Sequence, residues 1–539
     1  MANNYAEMTK EQLLDVIDNL KRRKKYGLVW EEENTKEQYE EAAQNAYPVL
    51  KEEAGKAIIT DPAKPVNLLI EGDNLHALSV LNYTHYNKVD VIYIDPPYNT
   101  GNKDFKYNDA FVDQEDSYRH SKWLSFMRPR LELARNLLKD TGVIFASIDD
   151  NEQAQLKLLM DEVFGESNFI GNIIWRCRTG ANDSVNNFNT NHEYVAIYSK
   201  SRDKVRFKGI DKDLSKYKNP DKDPRGRWVA DNLRNPHDDE KQYGTLVDPK
   251  TGNTFTGYWR ISPRNYRQYI DDGRILFPKS SSGVPKLKRF KNELRSNTSP
   301  VSSLWDGYLT SHGTRILIDM FDGKIFGYPK PVKLIKELIN QSTEKDAIIL
   351  DFFAGSGTTG HAVLDLNKED GGNRQFILAT NNENNICTDV TYPRVEKVIN
   401  GYTNAKGNVV AGLGGNLRYF KTSFVPKSEN SDDLKIQITR ECVEMLCITE
   451  GVFAQIGTGY SWKIFQNSVK TMAVYTGFVN SDNLAALKED LDKLDGEKVL
   501  YCFTMHGNSV VADDFEGWEG IDIKPIPSGI INLYRSIYG

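Results

Sequence analysis

Cysteine is scarce in this 539-residue chain. Its five copies, Cys177, Cys387, Cys442, Cys447 and Cys502, are scattered and form no CxxC pair. An odd, unpaired set excludes a disulfide framework and offers no thiolate zinc site, so no metal is expected and a reducing cytoplasm fits. Cys442 and Cys447 stand five apart, near helical spacing, and read as buried thiols. Long apolar runs are missing too: no stretch of eighteen apolar residues occurs, which argues against a membrane partner. The opening Met1-Ala2-Asn3-Asn4-Tyr5 has neither a basic nor an apolar region, so no secretory signal is expected. No internal repeat is found. The net charge is only -6, but residues 171–330 hold 29 Lys+Arg against 18 Asp+Glu. A basic middle between acidic flanks suggests a polyanion-binding surface, and a cluster of solvated charges is the plain alternative.

The length allows two to four structural units. Residues 1–60 read as a helical, highly charged segment. Thr9 and Gln12 form a capping box ahead of Leu13, Leu14, Ile17 and Leu20, and the basic run Lys21 to Lys25 that follows reads either as a phosphate contact or as a solvated helix end. From 61 to 180 short apolar runs alternate with helical patterns. Val66–Ile70, Val89–Ile94 and Gly142–Ile148 are strands, with helices over His76–Leu81 and Trp123–Leu138. This is the texture of an α/β fold whose mostly parallel sheet is covered on both faces. The rhythm disappears across 181–325, which is rich in Asn, Asp, Gly, Ser and basic residues with turn pairs such as Asn219-Pro220 and Asp272-Gly273. It returns over 326–420, with a helix at Pro331–Ile339 and strands at Ala347–Leu350 and Gln375–Ala379. The sheet is therefore interrupted by an insertion and then completed. Residues 421–539 form a separate α+β segment, whose apolar run Val499–Phe503 suits dimerisation, partner docking or a small structural domain.

Between the last two strands lies Asp351-Phe352-Phe353-Ala354-Gly355-Ser356-Gly357-Thr358-Thr359-Gly360, a strand-to-helix turn with glycines spaced GxGxxG. Such a turn lets a ligand approach the backbone at a helix N-terminus. It is no Walker loop, because His361 replaces the phosphate-cradling lysine. Glu383 closes the next strand, where a carboxylate binds ribose hydroxyls. These residues alone leave a nicotinamide-type dinucleotide open. Asp351 inside the loop would repel a pyrophosphate, whereas a cationic sulfonium cofactor would tolerate it.

Asp95-Pro96-Pro97-Tyr98 stands at the carboxyl end of another strand, where open α/β sheets place ligands. Two prolines end the strand and stiffen the loop. The exocyclic amine of adenine is a poor nucleophile, because its lone pair is delocalised into the ring. Two acceptors aimed at its hydrogens draw the nitrogen toward tetrahedral geometry. Asp95 and the Pro96 carbonyl can be those acceptors, Pro97 keeps the loop rigid, and Tyr98 can stack on the base. The base must first leave the duplex. A proline-stiffened turn whose acid caps a helix is the structural alternative.

Together these residues resemble the amino-methyltransferases of DNA, in the order of their β class: catalytic motif, target recognition insertion, cofactor motif. Asp95–Gly101 reads DPPYNTG, Trp123–Leu131 WLSFMRPRL, Gly142–Glu152 GVIFASIDDNE and Tyr328–Leu334 YPKPVKL. This set is similar to the modification (Mod) subunit of type III restriction–modification systems, densely over about residues 5–200 and 325–420. The resemblance implies a Rossmann-like methyltransferase sheet with S-adenosyl-L-methionine as cofactor. It implies adenine N6 in double-stranded DNA as substrate, a homodimer, a restriction helicase–nuclease partner and a place at the bacterial nucleoid. Residue by residue, it implies that Asp351, Phe353, Ala354, Gly355, Ser356 and Gly357 line the cofactor pocket and Thr358 begins the helix beneath it. Glu383 would take the ribose, Asp73 would lie near the adenine, and Lys330 near the methionine part. Phe352 stands where the family often has proline.

Arg176, Arg178, Arg225, Arg227, Arg260, Lys288 and Arg289 are the candidate DNA contacts in and beside the insertion. The rival readings are a cytosine-N4 methyltransferase, whose members more often carry Ser in place of Asp95, a dinucleotide-dependent oxidoreductase, and a catalytically silent DNA-binding subunit.

Overall fold

A computed structural model describes residues 45–102, 104–108, 110–180, 188–428, 430–505 and 515–538, with residues 9, 10, 28–31 and 35. The N-terminal helix expected from Leu13, Leu14, Ile17 and Leu20 lies outside the described residues. The chain divides into two compact units, residues 1–206 with 302–539, and residues 207–301.

The apolar runs of the larger unit build one eleven-stranded sheet. In chain order its main strands are β1 (Ala46–Glu52), β2 (Val66–Glu71), β3 (Val89–Ile94), β4 (Leu138–Ile148) and β5 (Phe169–Arg176). There follow β6 (His192–Ser199), β7 (Leu304–Trp305), β8 (Ile348–Asp351), β9 (Gln375–Thr380) and β10 (Asn416–Pro426). The two-residue strand Ile58–Ile59 pairs with β10 off the main path. Across the sheet the order is β1-β10-β2-β9-β8-β3-β4-β6-β5-β7. The six strands from β10 to β4 are parallel. Leu69, Ile70, Ile92, Ile94, Ile349, Leu350, Leu378 and Ala379 on them are fully buried. Burial on both faces is why these strands read as unbroken apolar runs.

Two crossovers place the site. β3 leads through helix α1 (Arg119–Leu137) to β4 on one side. Its neighbour β8 leads through helix α2 (Thr358–Asp370) to β9 on the other. Adjacent strands whose connections leave in opposite directions form a topological switch point, with a crevice outside their carboxyl ends. Asp351 ends β8 and Asp95 directly follows β3.

Three sequence boundaries move. Residues 46–52, expected in the helical segment, are instead edge strand β1, antiparallel to β10. Tyr47, Val49 and Leu50 are buried against the sheet, a gain that outweighs the charged local pattern, and Pro48 is tolerated because the strand is an edge. The insertion is narrower than 181–325. β6 is antiparallel between β4 and β5, so the βα rhythm is lost while the sheet continues. The smaller unit, 207–301, has its own core of Leu233, Leu246, Phe255, Trp259, Ile261, Tyr266 and Ile275. Finally, β10 carries the main sheet to Pro426, past the expected break at 420.

The C-terminal segment does hold a second, five-stranded sheet. Its run Val499–Phe503 lies in Glu497–Phe503, a buried strand paired on both sides, so packing inside that sheet replaces the docking reading. The segment is not freestanding. Leu434, Ile438, Cys442, Met445 and Tyr534 join the main core, and the Tyr534 hydroxyl donates to the Pro48 carbonyl at 2.6 Å. All five cysteines are buried and none forms a disulfide.

Candidate active site

The prolines after β3 make the loop stiff, and its neighbours fix where it points. The indole of Trp123, on α1, donates to the Pro97 carbonyl at 2.7 Å. Asn99 sits in the left-handed region at φ 57°, which asparagine tolerates better than most residues. Its buried amide donates to Glu152 Oε1 at 2.5 Å and to the Arg119 carbonyl at 3.2 Å. Glu152 is fully buried, with His120 Nδ1 2.6 Å from the same oxygen. Burial pushes its carboxyl up to about 8, so it is protonated at neutral pH.

Four polar groups meet inside this frame. The Lys330 ammonium lies 2.8 Å from Asp95 Oδ1, 3.7 Å from Glu193 Oε2 and 4.8 Å from the centre of the Tyr98 ring. The Tyr98 hydroxyl donates to Glu193 Oε2 at 3.0 Å. Burial raises the Asp95 carboxyl above the usual carboxylate range, and Lys330 only partly offsets this. For Lys330 burial works downward, but the two carboxylates outweigh it and the ammonium is held above its ordinary value. Although Lys330 is close, it stands off the hydrogen-bonding direction. Asp95 Oδ1 is thus a buried acceptor without an aligned donor among the described residues, a costly state unless a ligand supplies one.

Lys330 reaches this place because its segment is packed tightly. Gly313, on helix Thr310–Phe321, faces the Pro329 and Lys330 carbonyls, and a Cβ there would stand 2.4 and 2.8 Å from those oxygens. Backbone has to move to relieve such overlap. Gly313→Ala is expected to destabilise the chain by about 1–3 kcal/mol, read by urea denaturation, and to shift Lys330 off Asp95.

Across the crevice, Asp351 is committed to its own turn. One oxygen accepts from the Phe353 backbone at 3.0 Å, the other from the Thr359 hydroxyl, and burial lifts its carboxyl to about 7. Gly355 and Gly357 take φ values of 49° and 75°, conformations that glycine adopts at least cost. Ser356 and Thr358 turn inward rather than toward the crevice. Arg394, on helix Tyr392–Asn400, donates to both hydroxyls and to the Ser356 carbonyl at 2.8–3.1 Å. These two side chains therefore brace the turn, and only their backbone is available to a ligand. Ala354 and Phe352 are buried, the latter wholly in the core, and Phe353 is half-buried beside Phe126.

Glu383 follows β9 and pairs with Lys106. Asp73 caps the helix Asn74–Thr84 through the Leu75 amide at 2.7 Å and lies 3.3 Å from Arg130. Next to it, Asn74 donates to the Phe352 carbonyl and accepts from Arg130, which ties the helix after β2 to the glycine turn.

The candidate DNA contacts separate. Lys288 is corrected: its ammonium is buried between Asp221 and Asp223, because a small domain neutralises the cation it encloses. Arg225 is fixed on Asp223 at 2.8–2.9 Å. Arg260 and Arg289 share Asp231, and Arg176 lies 3.6 Å from Asp306. Arg178 and Arg227 are exposed.

Several of these residues are not singled out by sequence reasoning. Glu193 is legible only as an anomaly, an acid within β6 just ahead of the run Tyr194–Tyr198. Arg394 and Asn74 carry no local signal, and Arg130 and Glu152 fall in the quoted runs WLSFMRPRL and GVIFASIDDNE, which do not show their partners because those are distant in the chain.

An open α/β sheet with a rigid acid–aromatic loop and a glycine turn flanking its switch point defines a ligand-binding crevice at the carboxyl edge of the sheet. The DNA methylase family is matched over residues 89–391, and the chain belongs to it. Among similar proteins is the Type III restriction-modification enzyme StyLTI Mod subunit of Salmonella typhimurium, 36% identical over 368 residues, 62% of this chain and 55% of that protein. The EcoP15I Mod subunit of Escherichia coli is 31% identical over 379 residues, 58% of each chain. Type II methyltransferase M.KpnI of Klebsiella pneumoniae is 34% identical over 380 residues, 66% of this chain and 90% of its own length. The chain thus spans a little over half the length of the type III relatives.

Proposed function

We propose that the protein is a site-specific DNA methyltransferase that transfers a methyl group from S-adenosylmethionine to N6 of a flipped-out adenine, as the modification subunit of a type III restriction–modification system. The observation that carries this is the buried, unaligned acceptor Asp95 Oδ1 beside the Tyr98 ring, held by a loop that Trp123 and Asn99 immobilise.

The residues fit such a cofactor better than a pyrophosphate. His361 is neutral, with burial pushing it down to about 3, and Arg394 is spent beneath the turn. Acids instead stand at the ends of β2, β9 and β3, which suits adenosine hydroxyls and a cation. The backbone at Gly355 and Gly357 would border the cofactor, with Glu383 at the ribose and Asp73 near the adenine. When bound, S-adenosylmethionine supplies an electrophilic methyl group on a cationic sulfur. Asp95 Oδ1 accepts one amine hydrogen and the Pro96 carbonyl the other, which frees the nitrogen lone pair. Tyr98 holds the ring, and Asp95 is placed to take the proton released on transfer.

The test is transfer of radiolabelled methyl from S-adenosylmethionine to varied duplex DNA, followed by nucleoside analysis. N6-methyladenine is the expected product. N4-methylcytosine would overturn the choice of base, and no transfer would overturn the reading.

Double-stranded DNA, a second copy of the chain, a restriction helicase–nuclease subunit and a place at the nucleoid belong to the same proposal. Among the described residues no helix is long and apolar enough to cross a membrane. Phosphate binding falls to Arg178 and Arg227, whose exposed side chains are not tied down as Arg225 is. Replacing both with alanine is expected to lower the slope of log affinity against log salt by about 0.9 for each phosphate left unneutralised, read in a binding titration, while Arg225→Ala leaves the slope unchanged.

A further inference from the structure

We infer that Glu193 is a positioning residue of this site: it holds the Lys330 ammonium off the hydrogen-bonding axis of Asp95, keeping that oxygen open for the target amine. The inference rests on the methyltransferase reading above and assigns the site a residue outside both of its motifs.

The geometry sets up a competition. A lysine ammonium at 2.8 Å from a buried carboxylate normally swings into line, because charge-assisted hydrogen bonds are the strong ones. Here it does not, and Asp95 Oδ1 keeps an unfilled acceptor direction. The group placed to compete for the ammonium is Glu193, whose carboxylate is nearly buried and lies 3.7 Å from it. Glu193 is itself fixed: it stands on β6 opposite Trp175 of β5 and receives the Tyr98 hydroxyl at 3.0 Å. An ammonium shared by two carboxylates serves both ends of the site. It offsets the cost of burying Asp95, and it withdraws less density from Oδ1 than an aligned bond would. A weakened acceptor would draw the adenine amine less strongly toward tetrahedral geometry, so the division of Lys330 between two acids bears on the rate.

Without the Glu193 charge, Lys330 belongs to Asp95 alone. The groups that then act on Asp95 are Lys330, Tyr98, Tyr93 and Asp351, and those that faced Glu193 besides these are Asp149 and Cys177. Glu193 is a like charge that opposes ionisation of Asp95. Its removal lets Asp95 ionise at lower pH while making it a poorer acceptor.

The experiment is steady-state methyl transfer by the full chain to duplex DNA as a function of pH, for wild type, Glu193→Gln and Glu193→Asp. For Glu193→Gln, kcat is expected to fall about 10- to 100-fold, with KM for S-adenosylmethionine and for DNA within about threefold and the acid limb of the kcat profile displaced to lower pH. Glu193→Asp keeps the charge at shorter reach and is expected to recover at least about threefold of the lost rate. A kcat for Glu193→Gln within twofold of wild type, or a lower kcat with an unmoved acid limb and no recovery by aspartate, would overturn the inference while leaving the function intact. A wild-type chain that transfers no methyl group would overturn both.

Discussion

Asp95→Ala is expected to reduce methyl transfer by about 10³-fold or more, with cofactor affinity nearly unchanged. The reasoning is geometric. The side chain provides the buried carboxylate oxygen of the Asp95–Tyr98 loop, which lacks an aligned donor among the described residues, and a methyl group at that position can accept nothing. The proposed cofactor contacts lie on other strands, at the ends of β8, β9 and β2, so its binding does not pass through Asp95. The fold survives the change, because Lys330 keeps Glu193 as a counter-charge and Trp123 still holds Pro97. Single-turnover transfer and calorimetric titration with S-adenosylmethionine separate the two effects. An alanine variant with wild-type transfer would remove Asp95 from the chemistry, and one that loses cofactor binding as well would make its role structural.

The second large effect concerns Glu152, which supports the loop from behind. Burial raises its carboxyl from 4.5 in the unfolded chain to about 8 in the folded one. Between those values the folded state binds a proton that the unfolded state has lost, so stability falls as pH rises through this window. The stability lost is at most about 3–5 kcal/mol, complete above pH 8 and absent below pH 4.5. Glu152→Gln copies the protonated acid: its amide oxygen, in the place of Oε1, can accept from Asn99 and from an Nδ1-protonated His120. The variant is therefore expected to match wild type near pH 4.5 and to be more stable by that amount above pH 8. Asp351, lifted to about 7 by burial, adds a slope of the same sign that the variant retains. Chemical denaturation at several pH values reads this directly. A wild-type curve flat from pH 5 to 8, or parallel curves for the two proteins, would show that Glu152 is ionised in the folded chain.

These two residues also differ in how far the sequence reveals them. Asp95 is legible because its signal is local: an apolar strand, an acid, two prolines and an aromatic in a row. Glu152 stands at the end of GVIFASIDDNE, and nothing in that run shows that it closes on Asn99, 53 residues earlier. The same contrast separates the glycine turn, legible in its spacing, from Arg394 beneath it. Ser356 and Thr358 fall in the expected pocket by position, yet their side chains point down to that arginine. Lys288 looks like one more surface cation in the sequence, whereas the small domain encloses it between two aspartates.

By itself the sequence determined the parts whose physics is short-ranged: the buried parallel strands as unbroken apolar runs, the stiff Asp95–Tyr98 loop, the glycine turn, and the order of acid–proline loop, basic insertion and glycine turn. Tertiary structure alone decided what the charges do. Lys330 is drawn to Asp95 and Glu193, the narrow insertion begins only after an antiparallel pair of strands, and the C-terminal helices share the main core. The reason is that strand and turn preferences act over a few residues, whereas burial and pairing depend on which distant segments the crossovers bring to the switch point. A carboxylate or a lysine therefore carries no fixed role until its neighbours in space are known.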